Sequence, residues 1–130
     1  MTQEEEKNLL LKDLCSRLPY GVRYRHFTWN DEYGETYIAA QIYSINTDGY
    51  VKNCHDDETV YIDNVRLYLL PLSSMTEEQK KEYQYITERW MNDPVYSISD
   101  SIDWLNKHHF DYRGLIEKGL AIDATGLNVY

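Results

Sequence analysis

The run Thr36–Ile45, TYIAAQIYSI, is the stretch that most restricts how this chain can fold. Successive side chains of an extended chain point to opposite faces. Thr36, Ile38, Ala40, Ile42 and Ser44 therefore share one side, and Tyr37, Ala39, Gln41, Tyr43 and Ile45 share the other. Two isoleucines and an alanine make a compact inner face, and two tyrosines and a glutamine a semi-polar outer one. The pattern predicts the central strand of a small antiparallel sheet.

The surrounding chain supplies the partners. Val22–Trp29, Tyr50–Cys54, Thr59–Ile62 and Val65–Leu70 read as further strands, and Asn46-Thr47-Asp48-Gly49 is a strong hairpin signal. About five short strands over residues 22–70 suggest a curled antiparallel sheet or an SH3-like barrel, because few strands must curl to enclose a core. Before them, Thr2 with Glu5 forms a capping box ahead of the stripe Leu10, Leu11, Leu14 and Leu18, and Pro19-Tyr20-Gly21 ends that helix. After them, Thr76 with Gln79 opens a helix through about Met91, with Tyr83, Ile86 and Trp90 on one face, stopped at Asn92-Asp93-Pro94. Val95–Ser99 reads as a linker to a third helix, on which Ile102, Leu105 and His109 align with Trp104 beside them. Asp111 is placed to cap a last short helix, Tyr112–Lys118, stopped by Gly119. The last eight residues read as frayed. The expected fold class is α+β in one domain spanning 1–130: an N-terminal helix (1–18), the β core (22–70) and a part with two to three helices (73–122).

Charge narrows the partners. The formal net charge of −9 is diffuse: residues 21–70 carry four Lys/Arg against eight Asp/Glu, and residues 71–130 six against ten. Such a field disfavours phosphate backbones and anionic membranes, so direct nucleic-acid binding is not expected. The opening MTQEEEKNLLLKD has no charged-then-apolar signal pattern, and no apolar run approaches the roughly 20 residues of a membrane span. Cys15 and Cys54 form no CxxC pair and are too few for a disulfide framework. A cytoplasmic protein with reduced thiols is the expectation, with Cys15 in the core and Cys54 more exposed.

Signatures of chemistry are sparse. His108-His109 with Asp111 resembles a metal or acid–base cluster, yet adjacent helical positions diverge by about 100°. Cys54-His55 has the chemistry of zinc ligands but no partners at a diagnostic spacing, with His26 the other candidate. His109 is expected on a buried helix face with His108 solvated, and Asp56-Asp57-Glu58 as a solvated turn. There is no GxSxG and no Gly-rich phosphate loop. The chain is expected to be no enzyme, with no cofactor and no metal site.

Thirteen tyrosines, against two Phe and three Trp, point elsewhere. Tyrosine covers area at low entropic cost and keeps a polar tip. If Ile38, Ala40 and Ile42 face inward, Tyr37 and Tyr43 face outward, and Trp29, Tyr24, Tyr61, Tyr50 and Tyr68 are positioned to join them, with Arg23 and Arg25 nearby. Such a face suits a protein partner through ring and charge contacts. It equally suits a rim that receives the helices.

The segments KHHFDYRGLIEKGLAID (107–123), PLSSMTEEQKKEY (71–83) and EEEKNLLLKDLCSRLPYGV near the start resemble a family of small uncharacterised proteins of gut Bacteroides genomes and prophage-like regions. The resemblance implies a bacterial or phage cytoplasmic setting and carries no functional residues with it. The function expected is a non-catalytic protein-binding module. The alternatives are an acidic inhibitor or nucleic-acid mimic acting on a host or phage protein, and a metal- or thiol-dependent enzyme built on Cys54, His55 and a further ligand.

Overall fold

The structure, a computed structural model, describes every residue except 31, 33, 57 and 89–93, and leaves aside the side chains of residues 30 and 94–97. It is α+β. Helix α1 (Gln3–Arg17) precedes the strands β1 (Arg23–Asn30), β2 (Gly34–Ile45), β3 (Tyr50–Asn53), β4 (Thr59–Tyr61) and β5 (Leu67–Pro71). Helices α2 (Glu77–Glu88) and α3 (Pro94–Lys107) follow, then two short strands, β6 (Phe110–Asp111) and β7 (Ala121–Asp123). No described helix is long and apolar enough to cross a membrane.

The sheet runs β4-β3-β2-β1-β5-β6, with β7 also on β5. The first five strands pair antiparallel, whereas β6 and β7 run parallel to β5. A parallel neighbour needs a crossover, and α2 with α3 provides it between β5 and β6. The sheet is therefore mixed and open, not purely antiparallel. Among the described residues no ladder joins β4 to β6 or β7, the closure that a barrel would need.

Local sequence accounts for the element ends. Thr2 Oγ1 accepts the Glu5 N–H at 3.1 Å. At the start of α2, Thr76 and Gln79 make the full reciprocal box, at 2.9 and 3.1 Å. Gly21 closes the first helical segment with φ +73°, a left-handed angle that glycine adopts without a Cβ penalty. In the β2–β3 hairpin, Asn46 Oδ1 accepts from the backbone of both Asp48 and Tyr50.

One core lies between α1 and the inner face of the sheet. Leu10 and Leu14 meet Val22, Tyr24, Ala40, Ile42, Val51 and Ile62 there. A second cluster of Trp104, Leu105 and Phe110 receives Tyr83 and Ile86 from α2. An ion network joins α1 to the C-terminal segment. Buried Asp13 accepts from Arg17 Nε and from Arg113, both at 2.8 Å, and Arg17 also donates to the Phe110 carbonyl. Tyr112 offers its ring to both guanidinium groups, at 5.2 and 4.6 Å.

Several expectations are corrected. Helix α3 starts at Pro94, where the chain read as a linker, because proline is well suited to the first position of a helix. Ile102 is exposed, so the buried side of α3 is Trp104 and Leu105. The expected Tyr112–Lys118 helix is a set of turns, although Asp111 does accept the Leu115 and Ile116 N–H groups. Cys15 is exposed like Cys54, on the flank of the leucine stripe. The last residues are tied down: β7 lies along β5, and the Tyr130 hydroxyl donates to the Tyr68 carbonyl at 2.6 Å and accepts the Arg23 N–H at 2.9 Å. Trp90, Met91, Asn92 and Asp93 lie outside the described residues.

Strand β2 also departs from regular alternation. Ile42 pairs with Asn53, but Ser44 pairs with Lys52 and Ile45 with Val51, so Tyr43 is one residue extra on β2. This bulge turns Tyr43 and Ser44 outward in succession and carries Ile45 onto the core. The expected faces of Ser44 and Ile45 are thereby reversed.

Candidate aromatic face and buried histidine cluster

Beyond Arg25 the β1–β2 pair leaves the rest of the sheet. Strand β5 meets β1 at Tyr24 and through the bond from Arg25 N–H to the Arg66 carbonyl, 3.0 Å. Strand β3 begins pairing with β2 only at Ile42. Between these points the β1–β2 ladder continues to Asn30↔Gly34, and no third described strand lies on residues 27–37. Residues 27–30 and 34–37 form a two-stranded arm.

Its outer face is aromatic and open. Trp29 is 66% exposed, Tyr37 59% and Phe27 43%, and Tyr43, at the bulge beyond the arm, 50%, so neither α1 nor the C-terminal helices cover them. Phe27 and Tyr37 are cross-strand partners in edge contact, centroids 5.8 Å apart, and the Arg25 guanidinium sits 5.0 Å from the Tyr37 ring. Arg23 occupies the same face at the root and donates to the Ala39 carbonyl at 3.1 Å.

Four of the expected rings, Tyr24, Tyr50, Tyr61 and Tyr68, are elsewhere. Tyr24 is on the inner face and 1% exposed, because it alternates with Arg23 and Arg25. Tyr61 is half-buried beneath Lys7 of α1, 5.0 Å from its ring, with Tyr50 in edge contact. Tyr68 is buried too. The open face is thus Phe27, Trp29, Tyr37 and Tyr43 with the two arginines; Phe27 completes it, and its odd position on β1 was the available signal.

Behind this face lies a polar cluster. Asn53 Nδ2 donates to Tyr24 Oη at 2.9 Å. Tyr24 Oη lies 2.8 Å from His26 Nδ1, and His26 Nε2 lies 3.0 Å from Asp56 Oδ2. We assign Nε2–H to the bond with the Asp56 carboxylate, an acceptor only, so that Nδ1 of the neutral ring accepts the phenol proton. Asp56 is consequently more than a solvated turn residue. Burial raises its carboxyl pKa, but the Glu58 N–H, His26 and Asn53 outweigh that and hold it below the ordinary value. Burial drives the Tyr24 phenol up; Asn53 opposes this, and the Asp56 and Glu58 charges add to it. The string has the connectivity of a nucleophile, base and carboxylate, yet the phenol is sealed from solvent.

Cys54 and His55 are exposed, while the group that converges is His26, Asp56 and Glu58. Asp57 lies outside the described residues. A cleft of about 310 Å³ runs from this group to the open face, bordered by Phe27, Tyr37 and Arg66. His108 is half-buried beside the Trp104 ring, and His109 lies past the end of α3, at φ +64°, stacked on Tyr130. His109 is buried as expected, but on a turn and not on a helix face. No family model, curated protein or solved structure matches the chain.

Proposed function

We propose that this chain is a non-catalytic protein-binding module whose contact surface is the outer face and free edge of the β1–β2 arm. The observation that carries the reading is the exposure of Phe27, Trp29 and Tyr37 together on one side of a two-stranded ribbon. Exposed aromatic groups of this kind mark interaction surfaces. The occupant that fits is an extended segment of a protein partner. Arg25 directs its N–H away from β2, towards Arg66, and the period of two gives Phe27 the same direction past the end of β5. An added strand there gains main-chain bonds, and the rings alongside select its side chains. The resemblance of the chain's end segments to proteins of Bacteroides and prophage-like regions supports a bacterial or phage source for that partner.

The test is selection of peptides from a displayed random library on the immobilised protein, followed by titration. Selected peptides should lose at least about tenfold in affinity for Phe27→Ala/Tyr37→Ala, and should shift the amide resonances of residues 26–29. Equal affinity for wild type and the double variant would overturn the reading.

A further inference from the structure

We propose that His26, Asp56 and Glu58 form a site for one borderline divalent cation, with Zn²⁺ as the best match. His26 Nε2 lies 3.0 Å from Asp56 Oδ2 and 3.7 Å from Glu58 Oε2, and the three donor atoms fall within 4.8 Å of one another. Ligand atoms of a tetrahedral zinc site with bonds of about 2.0–2.1 Å are separated by about 3.3 Å. The two spacings from the imidazole bracket that edge, and Glu58, the exposed ligand, moves to close the set around an ion.

What distinguishes this group from a surface patch of carboxylates is its histidine. His26 is 2% exposed, is held at Nδ1 by Tyr24, and aims Nε2 at both carboxylates. The second oxygen of Asp56 is fixed as well, accepting from Asn53 Nδ2 at 3.2 Å and from the Glu58 N–H at 2.9 Å. Outer partners of this kind orient metal ligands and strengthen binding. Glu58, whose side chain is 60% exposed, is the ligand free to adjust. The 310 Å³ cleft borders the group, giving the ion a way in and leaving space for a fourth, exchangeable ligand. One nitrogen with two carboxylate oxygens suits a borderline cation better than Mg²⁺, which favours oxygen alone.

Coordination requires the lone pair of Nε2. The imidazole supplies it by changing tautomer: Nε2 releases its proton to solvent in the cleft, Nδ1 takes up an equivalent proton from solvent, and Nδ1–H donates to Tyr24 Oη. A phenol oxygen accepts as well as donates, so the ring stays neutral while the bond between Tyr24 and His26 reverses direction. The ligands come from the inner face of β1 and from Asp56 and Glu58; Phe27 and Tyr37 of the aromatic arm border the cleft but supply none of them.

The experiment is calorimetric titration of the chelator-treated full chain with ZnCl₂, and with MgCl₂ in parallel. The expected result is one Zn²⁺ per chain, at least about tenfold weaker binding in Glu58→Gln and about a hundredfold weaker in Asp56→Asn. Because Glu58 is largely exposed, Glu58→Gln should match the wild-type circular dichroism and melting temperature without metal, which separates lost ligation from lost folding. A ¹⁵N spectrum should move His26 from the Nε2–H to the Nδ1–H pattern on saturation. The absence of stoichiometric Zn²⁺ binding, binding unchanged in Glu58→Gln, or Mg²⁺ bound as tightly as Zn²⁺ would each overturn the assignment.

Discussion

The rings of His109 and Tyr130 stack with centroids 3.6 Å apart and planes 10° from parallel, closing the C-terminal segment onto the turn that follows α3. Burial, with Arg17, His108 and Arg23 close by, lowers the His109 pKa to about 4. Its buried Nδ1 has no hydrogen-bond partner among the described residues, so the fold accepts the neutral ring and disfavours the cation. The unfolded chain, with a pKa near 6.5, takes up that proton first. Stability from this group is complete above about pH 6.5 and falls as the pH drops towards 4. At about 1.4 kcal/mol per pKa unit, the loss reaches roughly 3 kcal/mol. Urea unfolding between pH 7.5 and 4.5 should show the decline. His109→Asn, which tolerates the left-handed backbone, should flatten it.

The Tyr130 hydroxyl joins β1 to β5 through Arg23 N–H and the Tyr68 carbonyl, and burial raises its pKa to about 12 even though part of the ring faces solvent. Tyr130→Phe strands both backbone groups and should cost about 1–3 kcal/mol. Hydrogen exchange at the Arg23 amide should quicken in the same variant.

Asp13 holds two arginines and is fully buried with Arg17. Asp13→Ala leaves a buried guanidinium without its carboxylate, a change that typically costs about 3–5 kcal/mol. Denaturant midpoints should report it. Glu4→Ala, in the exposed first turn of α1, should move the midpoint by less than about 0.5 kcal/mol.

The bulge makes an ordered prediction for β2. Ile45 packs on the core and Tyr43 is exposed. Ile45→Ala should destabilise by about 1–3 kcal/mol and Tyr43→Ala by less than about 0.5 kcal/mol. Unbroken alternation would put both side chains on the same outward face, and comparable thermal shifts for the two variants would support it.

Both cysteines are exposed. A thiol reagent added to the native protein should modify Cys15 and Cys54 without denaturant, and a slow Cys15 would show that α1 is covered in solution.

What the sequence made legible was local. The Thr2–Glu5 and Thr76–Gln79 boxes, the Asn46–Gly49 hairpin and the first five strands depend on neighbours within a few residues, and each is found close to where it is expected. The features that were not legible depend on distant partners. The bulge at Tyr43 exists only in register with β3. Strands β6 and β7 are two and three residues long and are defined by β5 alone. Tyr130 reads as a frayed end until Arg23, Tyr68 and His109 are known to surround it. The same holds for the site: odd-numbered positions put Trp29, Tyr37 and Arg25 on one face, whereas His26 and Asp56 are thirty residues apart and meet only because β3 delivers the turn after Asn53 beneath β1.

The extra residue at Tyr43 gives β2 two phases. Upstream of it, even-numbered positions point to the core; downstream, odd-numbered ones do. The strand therefore keeps count across its length. A one-residue deletion at Tyr43 would leave composition and hydropathy almost untouched, remove the bulge, and still keep Ile45 opposite Val51 on the core face. The same deletion between Tyr37 and Ala40, where β2 has no spare residue, would put the aromatic arm out of step with the rest of the sheet.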